Sequence, residues 1–462
     1  MAPKFGTSGL RGLVTELTPY VVADYTRAFL AACPVGSGLW VGRDLRDSSP
    51  MLAEVVISAA RGEGVAVTDC GAVPTPALAM AAMEAGAASL MVTGSHIPAD
   101  RNGLKFYVPG GEITKADEAA ILAALGRTPG GGHGHRRGYF GAGGDWAARY
   151  RAAFGRALDG MKVGVWAHSA VSREAMVACL ESLGARVAVL GQSATFVPVD
   201  TEAVPADVRG QFSRWAKGLD AIVSTDGDGD RPLVADATGR VVPGDVLGQI
   251  TAALLGAETV VTTVSANTGV DLSGRFGRVV RTKIGSPFVI AAMEAEAGKV
   301  VGYEPNGGFL LGFDAVGPEG TLSRLMTRDS LLPIVAALIE AKRAGGLAAR
   351  VAEEPARFTV TDRLEDTPTE ASKALLAGLE AGGIAAFVAP LGRIAAVDKT
   401  DGLRVTLDGG GVVHLRPSGN APEFRVYAEA ATPEAAQALM VQAFAQVKAA
   451  LGQALQPGHR LV

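Results

Sequence analysis

Five short, glycine-containing segments of the chain collect residue types that could do chemistry: carboxylates, a serine hydroxyl, a lysine and arginines. In Asp226-Gly227-Asp228-Gly229-Asp230-Arg231 three carboxylates alternate with glycines directly after an apolar run, so the loop can curl until the carboxylates converge. Such a hard-oxygen set suits Mg²⁺, which takes about six ligands and would keep positions open for a phosphate oxygen. A calcium EF-hand loop is excluded: twelve positions from Asp226 stands Ala237 where Glu is required, and Arg231 occupies the place of the turn glycine. The plainer alternative is a solvated acidic hairpin.

Thr93-Gly94-Ser95-His96-Ile97-Pro98 supplies a hydroxyl at the end of an expected strand, where α/β sheets present ligand loops. It is no Gly-x-Ser-x-Gly elbow, since Ile97 stands where the second glycine belongs, which disfavours acyl-transfer hydrolysis. Lys105 follows in Asn102-Gly103-Leu104-Lys105-Phe106 and could return to the same place as a donor. Arg11 lies in the glycine-rich Phe5-Gly6-Thr7-Ser8-Gly9-Leu10-Arg11-Gly12. Glu304 and Asn306, in Gly302-Tyr303-Glu304-Pro305-Asn306-Gly307-Gly308, fall on one side of an extended stretch and suit paired sugar hydroxyls. Arg416-Pro417-Ser418-Gly419-Asn420-Ala421-Pro422-Glu423 combines a guanidinium fork, a hydroxyl, an amide and backbone N–H groups, the makings of a phosphate cradle. Each segment taken singly also reads as an ordinary turn or surface loop.

Behind these loops, short apolar runs alternate with alanine-rich helical stretches over three quarters of the chain, the pattern of βαβ units with a mostly parallel sheet. Strands are expected over 39–41, 65–68 and 89–92, with helices near 51–61 and 77–85, and 127–138 reads as a glycine-rich basic linker or exposed loop. The pattern restarts with a strand at 162–166 and again after Pro243, so about three similar α/β units stand in tandem. After Pro355 strand-like runs at 358–361, 385–388, 403–407, 412–415 and 423–428 predict a small α+β domain. Its last helix is capped by Thr432 with Pro433 in the first turn, and Ala436, Met440, Phe444, Val447 and Leu451 form one apolar face. The expected division is α/β domains over 1–140, 141–242 and 243–354 and an α+β domain over 355–462.

Length and composition bound the function. The 462 residues, 48% hydrophobic and 19% charged, exceed one ordinary core and are too apolar for disorder. Sixty glycines without a collagen period imply many separate loops that need them. Forty-three basic against 47 acidic residues give a net charge of −4, which offers no field for a polyanion and disfavours nucleic acid as partner. Three scattered cysteines fit neither a disulfide framework nor a zinc site, so a reducing compartment is expected. No signal core opens the chain, and the apolar run 331–339 is about half of the ~20 residues that a membrane span needs. A soluble, cytoplasmic protein with no membrane partner is the expectation; monomer and homodimer stay open.

In order and spacing, the five segments resemble the α-D-phosphohexomutases along essentially the whole chain, with the phosphomannomutase/phosphoglucomutase members the most similar. That resemblance implies three related α/β domains and a smaller fourth around a central cleft, each giving one loop. It also implies an isomerase interconverting hexose 1-phosphate and hexose 6-phosphate, mannose being the expected hexose, through a phosphoserine and a hexose 1,6-bisphosphate that serves as intermediate and activator. Ser95 is then the phosphorylated serine, with Ser95, Asp226, Asp228 and Asp230 the Mg²⁺ set. Arg11, Lys105 and His96 are the candidates for proton transfer and charge stabilisation. Arg231 contacts the phosphoserine region, Glu304 and Asn306 the sugar hydroxyls, and Arg416, Ser418, Gly419 and Asn420 the non-reacting phosphate. Lys283 and Gly285, in Thr282-Lys283-Ile284-Gly285, match the family's specificity loop loosely. Departures from the common pattern are Ile97 for an amide, Asn306 for Ser, Gly308 for the His of some members and Asn420 for Thr.

Three rival readings remain at this point. Glucose or glucosamine phosphate could replace mannose, since one hydroxyl orientation separates the C2 epimers. A strand ending in Asp226-x-Asp228 also resembles the aspartyl nucleophile of haloacid-dehalogenase-like phosphatases, but that leaves four loops unexplained. A nonenzymatic sugar-phosphate binder would have no use for Ser95, Lys105 and three carboxylates together.

Overall fold

Runs rich in apolar and β-branched residues, buried on both faces, form inner strands of the first three sheets. The computed structural model describes residues 3–6, 9–418 and 423–452. In the first sheet Leu39–Arg43 lies between Val67–Ala72 and Ala88–Val92, all parallel. Arg101–Val108 returns antiparallel beside Ala88–Val92, and Leu10–Leu13 pairs with it in turn. The second sheet repeats this plan: Arg186–Gln192, Lys162–His168 and Ala221–Thr225 run parallel, and Pro232–Asp236 returns antiparallel. So does the third, with Arg278–Thr282, Thr259–Thr263 and Val300–Tyr303 parallel, Phe309–Leu311 antiparallel and Leu325–Asp329 beyond it.

The fourth sheet is wholly antiparallel, in the order Phe358–Leu364, Phe424–Ala430, Val412–Pro417, Leu403–Leu407, Ile394–Asp398. Its covering helix Pro433–Ala450 begins as the sequence predicts: the Thr432 side chain accepts from the Ala435 N–H, and Ala436, Met440, Phe444 and Val447 are buried. The architecture is therefore three mixed-sheet α/β units followed by a smaller α+β unit.

Each unit places a candidate loop on the connection between a strand and its antiparallel return. Val92 pairs near Leu104 across loop 93–100, and Thr225 faces Pro232 across 226–231. Tyr303 faces Phe309 across 304–308, and Pro417 faces Phe424 across the fourth loop. A hairpin connection has its ends fixed by register, so the loop's direction is set by the sheet behind it.

Two local expectations need correction. Residues 385–388 are helical, within Ile384–Val388, because the alanines there continue a helical stretch that Gly382 interrupts with φ 135°. That interruption also breaks Thr369–Val388, the one stretch among the described residues long and apolar enough to cross a membrane, into two helices. The glycine-rich segment 127–138 is not all linker: Arg136–Gly138 adds a parallel strand to the edge of the first sheet. Side-chain pairs draw it there, Arg136 to Glu54 and Asp69.

The apolar core follows the same division. One continuous buried cluster runs through the first three units, including Leu78, Trp146, Val165, Tyr303 and Leu338, and a second sits under the first sheet around Phe29 and Leu90. The fourth sheet has its own cluster, from Leu364 to Val447.

Candidate active site

Ser95 stands at the centre of the first loop with φ 54°, a left-handed conformation uncommon for a residue with a β-carbon. The loop is held in that shape from behind. Arg46 is 1% exposed, and its guanidinium donates to the carbonyls of Ser95, Ile97, Pro98 and Arg101 while lying 4.0 Å over the Phe196 ring. Asp44 pairs with Arg46 and accepts from Ser49 and Thr93, whose hydroxyl in turn receives the Ser95 N–H. The Ser95 hydroxyl donates to Asp226 Oδ2 at 2.6 Å, which joins the first loop to the acidic one.

Asp226, Asp228 and Asp230 are fully buried, and one carboxylate oxygen from each lies within 4.8 Å of the others. Gly229 permits the curl: its φ is +78°, and a β-carbon there would sit 2.9 Å from that of Ser172. Lys105 Nζ bridges Asp228 Oδ2 at 2.5 Å and Asp230 Oδ2 at 2.6 Å. Thr75, at the head of the helix Thr75–Glu84, gives its N–H to the Asp228 carbonyl and its hydroxyl to the Asp228 carboxylate. The remaining oxygens, Asp228 Oδ1 and Asp230 Oδ1, are buried with no hydrogen-bond donor.

The charges divide unevenly among these groups. Burial, reinforced by Asp228 and Asp230, raises the Asp226 carboxyl well above the usual carboxylate range. Burial pushes Asp228 the same way, but the Lys105 ammonium, its hydrogen bond and that of Thr75 more than reverse this and lower its pKa. His96 is held neutral, its pKa pushed well below 6.5 by burial and then by Arg231 and Arg11, and its Nδ1 faces Arg231 Nη1 at 3.0 Å. Burial brings the Arg11 guanidinium down to about 10, and Arg11 donates to the Thr93 carbonyl.

In the third loop Asn306 closes its own turn, its Oδ1 accepting from the Gly308 N–H and its carbonyl from Thr201. Glu304 is 4% exposed, and burial raises its pKa against the pull of Arg328 and Arg231. Its Oε2 is buried without a hydrogen-bond donor, an acceptor well suited to a hydroxyl.

Thus Ser95, His96, Lys105, Arg231 and the three aspartates form one contiguous cluster, and Arg11 adjoins it through Thr93. Glu304 is joined to the cluster through Arg328. Arg416 stands apart: its Nε pairs with Asp401 Oδ2 at 3.1 Å, and that oxygen also accepts from the Ile284 N–H of the 282–285 loop. Lys283 is exposed, Gly285 caps the helix Ser286–Glu294 and Ser418 is buried. Gly419 and Asn420 lie outside the described residues, as do Thr7 and Ser8.

Sequence reasoning passed over Asp44, Arg46, Thr75, Glu112, Arg328 and Asp401. The charged string Arg43-Asp44-Leu45-Arg46 at a strand end could have signalled the first two. The others bond to residues more than a hundred positions away, such as Thr75 to Asp228, and carry no local signature.

Comparison with known proteins agrees with this geometry. Three parts of the chain match the phosphoglucomutase/phosphomannomutase family: its alpha/beta/alpha domain I over residues 2–128, its alpha/beta/alpha domain III over 243–358 and its C-terminal domain over 357–446. A phosphomannomutase of Sinorhizobium fredii is 44% identical, covering 98% of this chain and 100% of its own. Another, from Salmonella muenchen, is 41% identical over 97% of this chain and 96% of its own. The crystal structure of a phosphoglucomutase/phosphomannomutase family protein from Burkholderia thailandensis shares the fold, with a TM-score of 0.76 at 21% identity and 98% coverage of both chains. Identity above 40% over nearly the full length of both chains establishes that the protein belongs to the phosphoglucomutase/phosphomannomutase family.

Proposed function

We propose that the protein interconverts mannose 1-phosphate and mannose 6-phosphate, with Ser95 as the residue that carries the phosphoryl group. The supporting observation is the hydrogen bond from the Ser95 hydroxyl to Asp226 inside a buried cluster that also holds two orphaned carboxylate oxygens. Mannose is favoured over glucose or glucosamine by the two phosphomannomutases at 44% and 41% identity.

The acidic loop fits a magnesium ion: it offers converging hard oxygens, two of them buried with no donor, and desolvated anions of that kind need a cation. Asp226, Asp228 and Asp230, with the phosphate on Ser95, would hold it. When bound, it supplies charge neutralisation at the transferring phosphoryl oxygens.

The chain's own residues do the rest. Phosphoryl transfer is governed by positioning and electrostatics, and the Arg46 splint with the strained Ser95 backbone fixes where the phosphoryl group starts. The bond from phosphorus to Ser95 Oγ breaks as one forms to the free sugar hydroxyl, whose proton ends on Ser95. The resulting hexose 1,6-bisphosphate turns end for end, and the same exchange in reverse returns its other phosphoryl group to Ser95. Lys105 and Arg11 would stabilise the charge that develops. Neutral His96 orients Arg231 through Nδ1. Glu304 and Asn306 would take the sugar hydroxyls, and Arg416 with Ser418, Gly419 and Asn420 the phosphate that is not reacting.

The decisive experiment compares kcat/KM for mannose, glucose and glucosamine 1-phosphates, with the 1,6-bisphosphate present as activator, in wild type and Ser95→Ala. Wild type should favour mannose and Ser95→Ala should take up no ³²P from labelled bisphosphate. Full turnover by Ser95→Ala, or label on a hydroxylamine-labile carboxylate, would refute the assignment.

A further inference from the structure

Arg328 has no place in the roles above, yet it is among the most enclosed charges in the molecule. It sits on the strand Leu325–Asp329, beside Phe309–Leu311 in the third sheet, with its side chain 4% exposed. Three carboxylates from three parts of the chain surround it. Nη2 meets Asp230 Oδ2 of the acidic loop at 2.9 Å, Nη1 lies 3.8 Å from Glu304 Oε2 of the sugar loop, and Nε lies 3.8 Å from Glu112 Oε1 of the first unit. Glu112 in turn accepts from Ser286, next to Gly285.

The sugar loop is shaped around this arginine. A β-carbon on Gly308 would lie 2.9 Å from Arg328 Cδ and 3.0 Å from Cγ, so the aliphatic stem runs directly over the glycine. Burying an unpaired guanidinium is costly, and a planar fork with three acidic neighbours makes that burial tolerable only while the neighbours keep their places. Arg328 and Lys105 share Asp230 Oδ2, while Oδ1 has no hydrogen-bond donor and lies 3.9 Å from Arg231 Nε.

We propose that Arg328 is a positioning residue that locks the sugar loop to the acidic loop and, by pairing with Asp230, weakens that carboxylate as a cation ligand. It acts on both halves of the reaction without being one of the reacting groups. Glu304 is held at a set separation from the phosphoryl site, and the divalent cation is bound less tightly than three unshared carboxylates would bind it. The proposal rests on the mutase reading given above for its substrate arm, while its metal arm stands independently.

The two arms have opposite signs, which separates positioning from general support of the fold. In Arg328→Met, Mn²⁺ titrated against the purified protein and followed by electron paramagnetic resonance should bind about tenfold tighter. KM for the hexose 1-phosphate should rise about tenfold or more, with kcat falling less. Arg328→Lys, which keeps the charge but not the fork, should bind Mn²⁺ within about threefold of wild type while KM stays raised. Gly308→Ala reaches the same contact from the other side and should raise KM in the same direction. Weaker Mn²⁺ binding by folded Arg328→Met, or an unchanged KM in Arg328→Lys and Gly308→Ala, would overturn the proposal. If Arg328→Met does not fold, Arg328→Lys and Gly308→Ala decide the matter by KM. Should wild type turn over no hexose phosphate, the functional reading fails, and the Mn²⁺ comparison alone judges the pairing with Asp230.

Discussion

The acidic loop and the fourth loop are built on the same plan, each joining an inner strand to its antiparallel neighbour, but they are held in different ways. Asp226, Asp228 and Asp230 are fully buried, and Ser95, Thr75, Lys105 and Arg328 reach them from the first and third units. Those units share one apolar cluster, so core packing fixes the distances within the charged centre. Arg416 of the fourth loop is 13% exposed and paired with Asp401, and no buried apolar residue of the fourth sheet belongs to the shared cluster among the described residues. The fourth sheet meets the third through polar contacts instead. Glu429 accepts from the Thr268 N–H while pairing with Arg357, and Asp401 accepts from the Ile284 N–H. The cluster proposed for phosphoryl transfer thus lies in a packed centre, and the loop proposed to hold the distant phosphate lies across a seam of polar contacts.

The sharpest way to break the centre is Asp228→Asn, which keeps the shape but removes the charge opposite Lys105. Turnover should fall at least about 10³-fold and Mn²⁺ binding should weaken, because the cluster acts as a unit. Activity within tenfold of wild type would mean that the centre is not where the phosphoryl group is handled.

A change at the seam should act differently. Asp401→Ala frees Arg416 and releases the 282–285 loop at once, without touching the buried cluster. KM for the sugar phosphate should rise about three- to tenfold while kcat stays within about threefold, as expected when a partly buried ion pair outside the reacting centre is lost. A fall in kcat with unchanged KM would place Asp401 in the chemistry and dissolve the contrast between the two regions.

What the sequence made legible follows the same line. The candidate loops could be found because each packs its chemistry into six to eight consecutive residues after a strand, and hairpin geometry keeps neighbours in sequence neighbours in space. Thr75 and Arg328 could not, because each takes its role from partners in another part of the chain, and an arginine in Leu325–Asp329, the outer strand of the third sheet, looks like a solvent-facing charge until the third and second units are docked. The helix at Ile384–Val388 was misread as a strand for a related reason: a five-residue run of Ile, Ala, Phe and Val has no period of its own, and the helical stretch before it decides its state.

The smallest expected effect lies deep in the seam, at Asp245. This side chain is 4% exposed at the start of the helix Gly244–Leu254 and accepts from the N–H groups of Asn267 and Val246. Burial, with the charge of Glu429 adding to it, lifts its pKa from 3.8 to about 6, against the pull of those hydrogen bonds. A carboxyl whose pKa is raised by folding favours the folded state while protonated, fully so below about pH 4, and that contribution is lost as pH rises through about 6. Above that range the protein carries a buried carboxylate beside Glu429, at a cost of about 1–3 kcal/mol. Asp245→Asn removes the charge and keeps an acceptor for only one of the two N–H groups, so its thermal midpoint relative to wild type should be more favourable at pH 7.5 than at pH 5. An equal shift at both pH values would show that packing, and not charge, governs this position, and the seam would then owe less to electrostatics than the contrast with the buried centre requires.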